Sequence, residues 1–394
     1  MDGGAPPEFD QPVDHLEERS SLLQEGAAHF HAGPGFFNPA ARPSRDLGVL
    51  LALILAQGRR LRVLDLMAGC GLRSLRYGLE AGARALVVND ADPARLSLLR
   101  QNLRVLEGSC VLRTSALRAH RLLAHSLLQG ERFDLVDVDA FGSPFDLVPL
   151  VLEAVALDGV LYLATSDGRG PTGHDRRAAL RHLGASVRCH PASWELALRL
   201  QLGGVARAAW SQGRGVEPLF SFSDGRTFRT AIRLRRHPLP DEERRLGLLA
   251  ICHRCGDQQV QPLLHLKCWK ECLCQTPGLA ISGPLWIGSL QEIPILDAMA
   301  AAAERSPSSL CPEGSRLLGR LRGDNASLPR CWPSTFIARQ LGTSQPPLQA
   351  LVRRLLDEGY QAGVSGVMPG QLRTDAPWRT ILSLAGDLAR GAAK

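Results

Sequence analysis

Lysine is nearly missing from this 394-residue chain: it stands only at Lys267, Lys270 and Lys394, and every other one of the 46 basic residues is arginine. Arginine's planar fork suits phosphates and stacked bases, although a GC-rich coding bias favours the same replacement. The net charge of +7 is a mild pointer to a nucleic-acid partner and no more. No apolar run approaches the ~20 residues of a membrane span. The N-terminus also lacks the basic-then-apolar pattern of a signal peptide. A soluble, cytoplasmic chain is therefore expected, with no membrane association and no obligate protein partner evident. Without a signal, ten cysteines do not read as a disulfide framework. No internal repeat is present. With 45% hydrophobic and 22% charged residues the composition is that of a globular protein of two or three domains. Residues 1–24, rich in proline and acids, read as a flexible leader.

What is present centres on Val63-Leu64-Asp65-Leu66-Met67-Ala68-Gly69-Cys70-Gly71-Leu72-Arg73-Ser74. An apolar run ends in an acid, two glycines bracket one residue, and a helical pattern begins, as in a buried parallel strand turning sharply into a helix. Gly69 and Gly71 permit a tight turn that comes close to a ligand. The third glycine of a dinucleotide fingerprint is absent, so this turn alone fits any α/β protein. Two further strand tips narrow the reading. Ala85–Val88 ends in Asn89-Asp90, where a nucleoside-binding sheet keeps an acid for ribose hydroxyls. Phe133–Val138 delivers Asp139-Ala140-Phe141-Gly142-Ser143-Pro144 to the same edge. Together these features resemble the S-adenosylmethionine-dependent methyltransferase fold.

Along the chain, Phe36-Phe37-Asn38-Pro39 precedes an apolar helix, Leu47–Gln57, with Ser44 as its expected N-cap. Strands and helices alternate from Arg59 to a strand at Val160–Ala164, entered through an Asp158-Gly159 turn. A Gly/Pro-rich loop is expected after Asp167, then a long helix, Ala192–Ser211. A hairpin follows: Phe220–Ser223, an Asp224-Gly225 turn, and Thr227–Leu234. An antiparallel hairpin closing a parallel sheet fits a methyltransferase better than a dehydrogenase. The expected fold is thus a Rossmann-like class I α/β sheet over residues 25–236, followed by a smaller α+β domain over 237–394. In the latter, Arg305–Pro312 reads as a linker. Thr335–Leu341 and Pro347–Glu358 read as a helix-turn-helix-like module at about 333–378.

Five cysteines are scattered, and five cluster at Cys252, Cys255, Cys268, Cys272 and Cys274. Cys252-x-x-Cys255 has the spacing of half a zinc knuckle, in a region of about 250–285, and tetrahedral sulfur sites are usually structural. Cys268, Cys272 and Cys274 offer three thiolates for the two remaining places.

Taken in order, the blocks Phe36-Phe37-Asn38-Pro39, Ser44-Arg45-Asp46-Leu47, Asp65 to Ser74, Asn89-Asp90, Asp137 to Pro144, Gly213 to Leu219, Gly283-Pro284-Leu285-Trp286 and Arg373 to Pro377 resemble the tRNA (guanine(26)-N2)-dimethyltransferase family. The resemblance implies methyl transfer from S-adenosylmethionine to the N2 amine of a guanine in tRNA, with one or two methyls added. It implies that Arg45, Arg73 and Asp90 hold the donor beside Asp65, Gly69 and Gly71, with Ser115 and Ala116 near the adenine. It places Asp139 beside the target amine and Phe36 and Phe141 against an extruded guanine. It gives the second half a tRNA-gripping role. Counted back from Gly283-Pro284, it puts the second zinc pair on Cys272 and Cys274, with Cys268 the substitute. The chain departs from the family at Ala140, where proline is usual, and at Thr114-Ser115-Ala116, which lacks an acid. It departs again in the irregular second cysteine pair and around Ser365-Gly366. Two alternatives stand beside this reading: a methyltransferase of another base amine, in DNA or ribosomal RNA, and a tRNA-binding protein that has lost catalysis.

Overall fold

The computed structural model describes residues 22–34, 37–272, 274–275, 278–324 and 328–391. Most of the expected leader, and Phe36, lie outside the described residues. Leu22 to Gln24, expected in the leader, instead lie in a strand. A short antiparallel hairpin, β1 (Leu22–Glu25) and β2 (Ala28–His31), precedes α1 (Arg42–Leu55). Ser44 does not cap α1; it is buried within it. The cap lies one turn earlier, where the Asn38 side chain accepts the Ala40 N–H at 3.0 Å and opens the turn Pro39–Ala41.

The central sheet is built from β3 (Arg62–Asp65), β4 (Ala85–Asn89), β5 (Val111–Ser115), β6 (Phe133–Ala140), β7 (Val155–Thr165), β8 (Gly215–Ser223) and β9 (Phe228–Arg235). Its order is β5-β4-β3-β6-β7-β9-β8. All pairs are parallel up to β7; β9 runs antiparallel to β7 and β8 antiparallel to β9. Between them run α2 (Leu72–Leu79), α3 (Leu96–Leu103), α4 (Ala119–Leu128), α5 (Val148–Ala154), α6 (Arg176–Leu183) and α7 (Ser193–Ser211). The chain moves outward from β3 to β5 and then returns to place β6 on the other side of β3. Ligand crevices of open α/β sheets lie at such a reversal, beyond the carboxyl ends of the strands. Strands buried on both faces need continuous apolar runs; Val63, Leu64, Leu135, Val136, Leu161 and Leu163 are all fully buried.

Three local expectations are corrected. The Asp158-Gly159 turn is a kink inside one strand, β7, with Asp158 at φ +59°. The hairpin turn is a four-residue loop, because Asp224 Oδ1 accepts the N–H groups of Arg226 and Thr227 and closes it. The stretch after Asp167 is not all loop: Asp175 caps α6 by accepting the Ala178 N–H at 2.9 Å.

The second half contains a sheet of β10 (Leu246–Ile251), β11 (Gln258–Pro262) and β12 (Ala280–Trp286), ordered β11-β10-β12. Helices α8 (Ile293–Arg305) and α9 (Pro312–Arg322) follow. Next come β13 (Cys331–Pro333), α10 (Ser334–Leu341), α11 (Leu348–Asp357), β14 (Ala362–Val364), β15 (Gln371–Thr374) and α12 (Trp378–Gly391). The expected helix pair is therefore α10 and α11, joined to a small sheet of order β13-β15-β14.

This half does not stand apart. Leu296, Met299, Leu317 and Leu321 belong to the same core cluster as Leu47 and Leu51 of α1, so α8 and α9 cover that helix. The presumed linker is also anchored. Fully buried Arg76 of α2 donates to Glu25 (2.8 Å), Asp46 (2.6 Å), Glu80 (2.7 Å) and the Ser309 carbonyl (3.0 Å). Asp46 also accepts the Cys311 N–H at 2.8 Å. A second buried junction joins Glu195 of α7 to Arg373 of β15 at 2.6 Å, with Arg373 also paired to Asp324.

Candidate functional site

A cleft of about 820 Å³ opens at the carboxyl ends of the parallel strands. One wall is the turn after β3. Gly69 (φ +59°) and Gly71 (φ +80°) both take the left-handed conformation that glycine adopts without strain. A Cβ built on Gly69 would meet nothing nearer than 3.9 Å, so this backbone faces open cleft. The turn is pinned from the next strand: Ala68 N–H donates to the Asn89 carbonyl at 2.8 Å, and Gly69 N–H to Asp90 Oδ2 at 2.8 Å. Asp90 lines the cleft, as does Arg45 of α1. The Arg45 guanidinium is held by Glu25 at 2.8 Å and lies 5.3 Å from the Phe37 ring centroid.

The floor holds three carboxylates and two guanidiniums. Asp139 Oδ2 accepts from Arg73 at 2.7 Å, and its Oδ1 pairs with Arg229 of β9 at 2.6 Å. Arg229 also donates to Asp137 at 3.1 Å and lies 4.4 Å from the Tyr162 ring centroid. Asp137 further accepts from the Tyr77 hydroxyl at 2.6 Å. Burial works against the charge on Asp139, but Arg229 and then Arg73 override it and hold the carboxyl well below the usual carboxylate range. Asp65 has no guanidinium within ion-pairing distance among the described residues. Burial first, and then the neighbouring Asp137 charge, push its carboxyl up to about 7, against the Ser74 hydroxyl that donates to it at 2.7 Å. Two cations thus serve two acids, and the third acid is the one left raised.

Of the residues singled out in the sequence, Arg45, Gly69, Arg73, Asp90, Asp139 and Phe141 line the cleft. Phe141 is 80% exposed there, so it is not a core residue. Asp65 and Gly71 lie behind the wall and support it. Ser115 and Ala116 are not among the lining residues; the Ser115 hydroxyl is turned to Asn89 Oδ1 at 2.7 Å, and Arg118, Ala119 and His120 form that wall instead. The residue most clearly missed is Arg229. An arginine inside the apolar run of β9 was its only local signal.

The Asp139 loop is held from the tip of β7. Gly142 N–H donates to the Ser166 hydroxyl at 2.7 Å, and the Thr165 hydroxyl donates to the Gly142 carbonyl at 2.6 Å. The loop therefore has external braces in place of the rigidity that proline at position 140 would supply.

Away from the cleft, the sulfurs of Cys252, Cys255, Cys272 and Cys274 all lie within 4.8 Å of one another. Cys252 and Cys274 are 3.5 Å apart, and Cys272 and Cys274 are 3.3 Å apart. Zn–S bonds of about 2.3 Å in a tetrahedron set sulfurs about 3.8 Å apart, so the set fits a four-thiolate ion. Exposed Cys268 is not in the group.

The model of the N2,N2-dimethylguanosine tRNA methyltransferase family matches residues 18–385. The chain belongs to that family. A tRNA (guanine(26)-N(2))-dimethyltransferase of Methanosphaerula palustris is 33% identical over 360 residues, covering 89% of this chain and 91% of the relative. The corresponding protein of Aeropyrum pernix is 31% identical over 367 residues, with 88% of each covered. Among solved structures, Trm1 from Pyrococcus horikoshii in complex with S-adenosyl-L-methionine superposes with a TM-score of 0.81 at 23% identity. That match spans 92% of this chain and 99% of the other, and shows the shared fold.

The Asp65 carboxyl makes stability depend on pH. Between the ordinary aspartate value of 3.8 and about 7 the folded chain keeps a proton that the unfolded chain has lost, so stability falls as pH rises through this window. Asp65→Asn keeps an acceptor for Ser74 and removes the titration. Its stability advantage over the wild type is expected to be absent near pH 4, to grow to the order of a few kcal/mol by pH 7.5, and then to level off. Denaturant unfolding across that range checks it; a gap that does not change with pH contradicts it.

Proposed function

We infer that this chain is an S-adenosylmethionine-dependent tRNA guanine N2-methyltransferase whose target is guanine 26, with Asp139 as the acceptor that orients the amine. The observation that carries the residue assignment is a carboxylate fixed by two arginines, yet one-third exposed, on the floor of a cleft whose wall is an open glycine turn. Bound S-adenosylmethionine supplies an electrophilic methyl group on its sulfonium. The glycine turn, Asp90 and Arg45 are the groups that hold it: Asp90 sits at the second strand tip, where a ribose is gripped, and Gly69 leaves room for close approach.

The guanine amine is a poor nucleophile because its lone pair is delocalised into the ring. Asp139 has the lone-pair capacity to accept an amine N–H beyond its two arginine bonds, which leaves the nitrogen lone pair directed at the donor. In-line positioning supplies much of the acceleration. Held well below the usual carboxylate range, Asp139 is ionised near neutrality but too weak a base to keep a proton, so it acts as acceptor, and the proton that the methylated amine sheds passes to solvent. The base lies inside a folded RNA and must be extruded and stacked; Phe141, which lines the cleft and is largely exposed, meets this need. The braces on Gly142 keep this loop competent with Ala140.

The four-cysteine cluster is assigned to structural zinc, bound by Cys252, Cys255, Cys272 and Cys274. Residues 25–236 form the catalytic unit and 237–394 the tRNA-gripping unit. No helix among the described residues is long and apolar enough to cross a membrane, and a tRNA-modifying role assigns the chain to the cytoplasm.

Asp139→Ala is a poor test, because it strips both Arg73 and Arg229 of a partner. Asp139→Asn keeps the shape and one acceptor oxygen. It is expected to lower single-turnover methyl transfer to tRNA by ~10²–10³, about 2.7–4 kcal/mol, with donor and tRNA affinities retained. A wild-type rate in the Asn variant would sink the acceptor assignment.

For the metal, about one zinc per chain is expected, lost in Cys252→Ser together with thermal stability and retained in Cys268→Ser. Metal-free protein after careful purification, or zinc loss in Cys268→Ser, contradicts the assignment.

A further inference from the structure

Between β7 and α7 the chain carries five exposed arginines: Arg169, Arg176, Arg177, Arg181 and Arg188. None has an ion-pair partner among the described residues. The acids of the stretch are already engaged. Asp167 accepts the N–H groups of Arg169 and Gly170 at 3.1 Å and faces His182 at 4.0 Å. Asp175 caps α6. The segment is firmly seated: Ala179 and Leu183 of α6 are buried with Leu196 and Leu200 of α7 and Leu249 and Leu285 of the β10–β12 sheet. Arg176, Arg177 and Arg181 therefore lie on the exposed side of an anchored helix, with Arg169 and Arg188 on the loops that flank it.

The two ends of the segment are fixed at two sites. At one end Ser166 is part of the cleft wall and braces the Asp139 loop. At the other end Arg188 N–H donates to the Ser282 hydroxyl at 2.9 Å, and Ser186 and Gly283 bond to each other at 2.8 and 2.9 Å. The Cys189 carbonyl meets the ring of His253, which lies between Cys252 and Cys255, at 3.0 Å. The arginine-bearing segment thus joins the cleft wall at one end and the neighbourhood of the cysteine cluster at the other, with α6, roughly 12 Å long, between them.

We propose that α6 and its flanking loops form a track that holds the sugar–phosphate backbone of the tRNA between the cleft and the cysteine cluster. The proposal rests on the tRNA methyltransferase reading above and assigns the gripping surface within it. Like charges aligned on a rigid helix repel one another, and phosphates relieve that repulsion with charge-assisted bonds that an arginine fork makes in pairs. Extruding a base requires the backbone beside it to be held, and phosphate contacts fix register without reading sequence. It follows that the grip is carried partly by an element of the catalytic half, and that the cysteine cluster supports the far end of the track.

The test uses the full chain and a full-length tRNA transcript. In the triple variant Arg176→Ala, Arg177→Ala, Arg181→Ala, the KM for tRNA is expected to rise about tenfold or more. The slope of log affinity against log salt should become shallower by about one per arginine that contacts phosphate. S-adenosylmethionine affinity is expected to stay at the wild-type value. Exposed Arg84, just before β4 at the opposite end of the sheet, is the control, and Arg84→Ala should leave both KM and slope unchanged. A triple variant with the wild-type KM and salt slope overturns the track. If the wild type methylates tRNA in that same experiment, only the track falls. If the wild type neither binds nor methylates tRNA, the function falls with it.

Discussion

The ion-pair cluster beneath the cleft is the constraint on which the rest of the structure depends. Burying three carboxylates side by side would normally cost far more than their hydrogen bonds return. Arg73 and Arg229 make it tolerable by serving Asp137 and Asp139 together. Because the two cations come from α2 and β9, the helix behind the glycine turn and the antiparallel strand at the far side of the sheet must both be in place. The glycine turn and the Asp139 carboxylate are thereby locked into one geometry. Asp139 can remain an ionised acceptor at a half-dry position, which a lone aspartate could not.

The same logic recurs at the joins between the halves of the chain. Arg76 draws carboxylates from the hairpin, α1 and α2 to the carbonyl of Ser309, and Arg373 binds Glu195 of α7. Removing one member of such a buried set is strongly destabilising, about 3–5 kcal/mol, since it strands the partner charge. The two halves are consequently a division of the sequence more than of the packing. Glu25 shows the consequence most directly: one carboxylate positions both Arg76 at the join and Arg45 at the cleft.

The features readable from sequence were those with a local physical signature. Apolar runs ending in an acid marked the tips of β3, β4 and β6, and the paired glycines marked the turn. Cysteine spacing marked the sulfur cluster but left three thiolates for its last two places; the count back from Gly283-Pro284 picked Cys272 and Cys274, and the fold brings those two to Cys252 and Cys255. What stayed hidden was set by contacts distant along the chain. Arg229 looks like a stray charge until β9 is laid beside β7. Glu25 lies in a stretch with no strong periodicity. Helix α6 hides behind glycines and prolines, and its only start signal is Asp175. Ser44 was misread because serine before an apolar helix suits a cap, whereas Asn38 already served one turn earlier.

The central claim is that the chain methylates the exocyclic amine of guanine 26. Two tRNA transcripts that differ only in carrying guanine or hypoxanthine at position 26 isolate that amine, because hypoxanthine lacks it. After treatment with the enzyme and S-adenosylmethionine, mass spectrometry of the nucleosides should find N2-methylated guanosine from the first transcript and no methylated product from the second. Equal methylation of both, or a methyl group on any other base, would contradict the account.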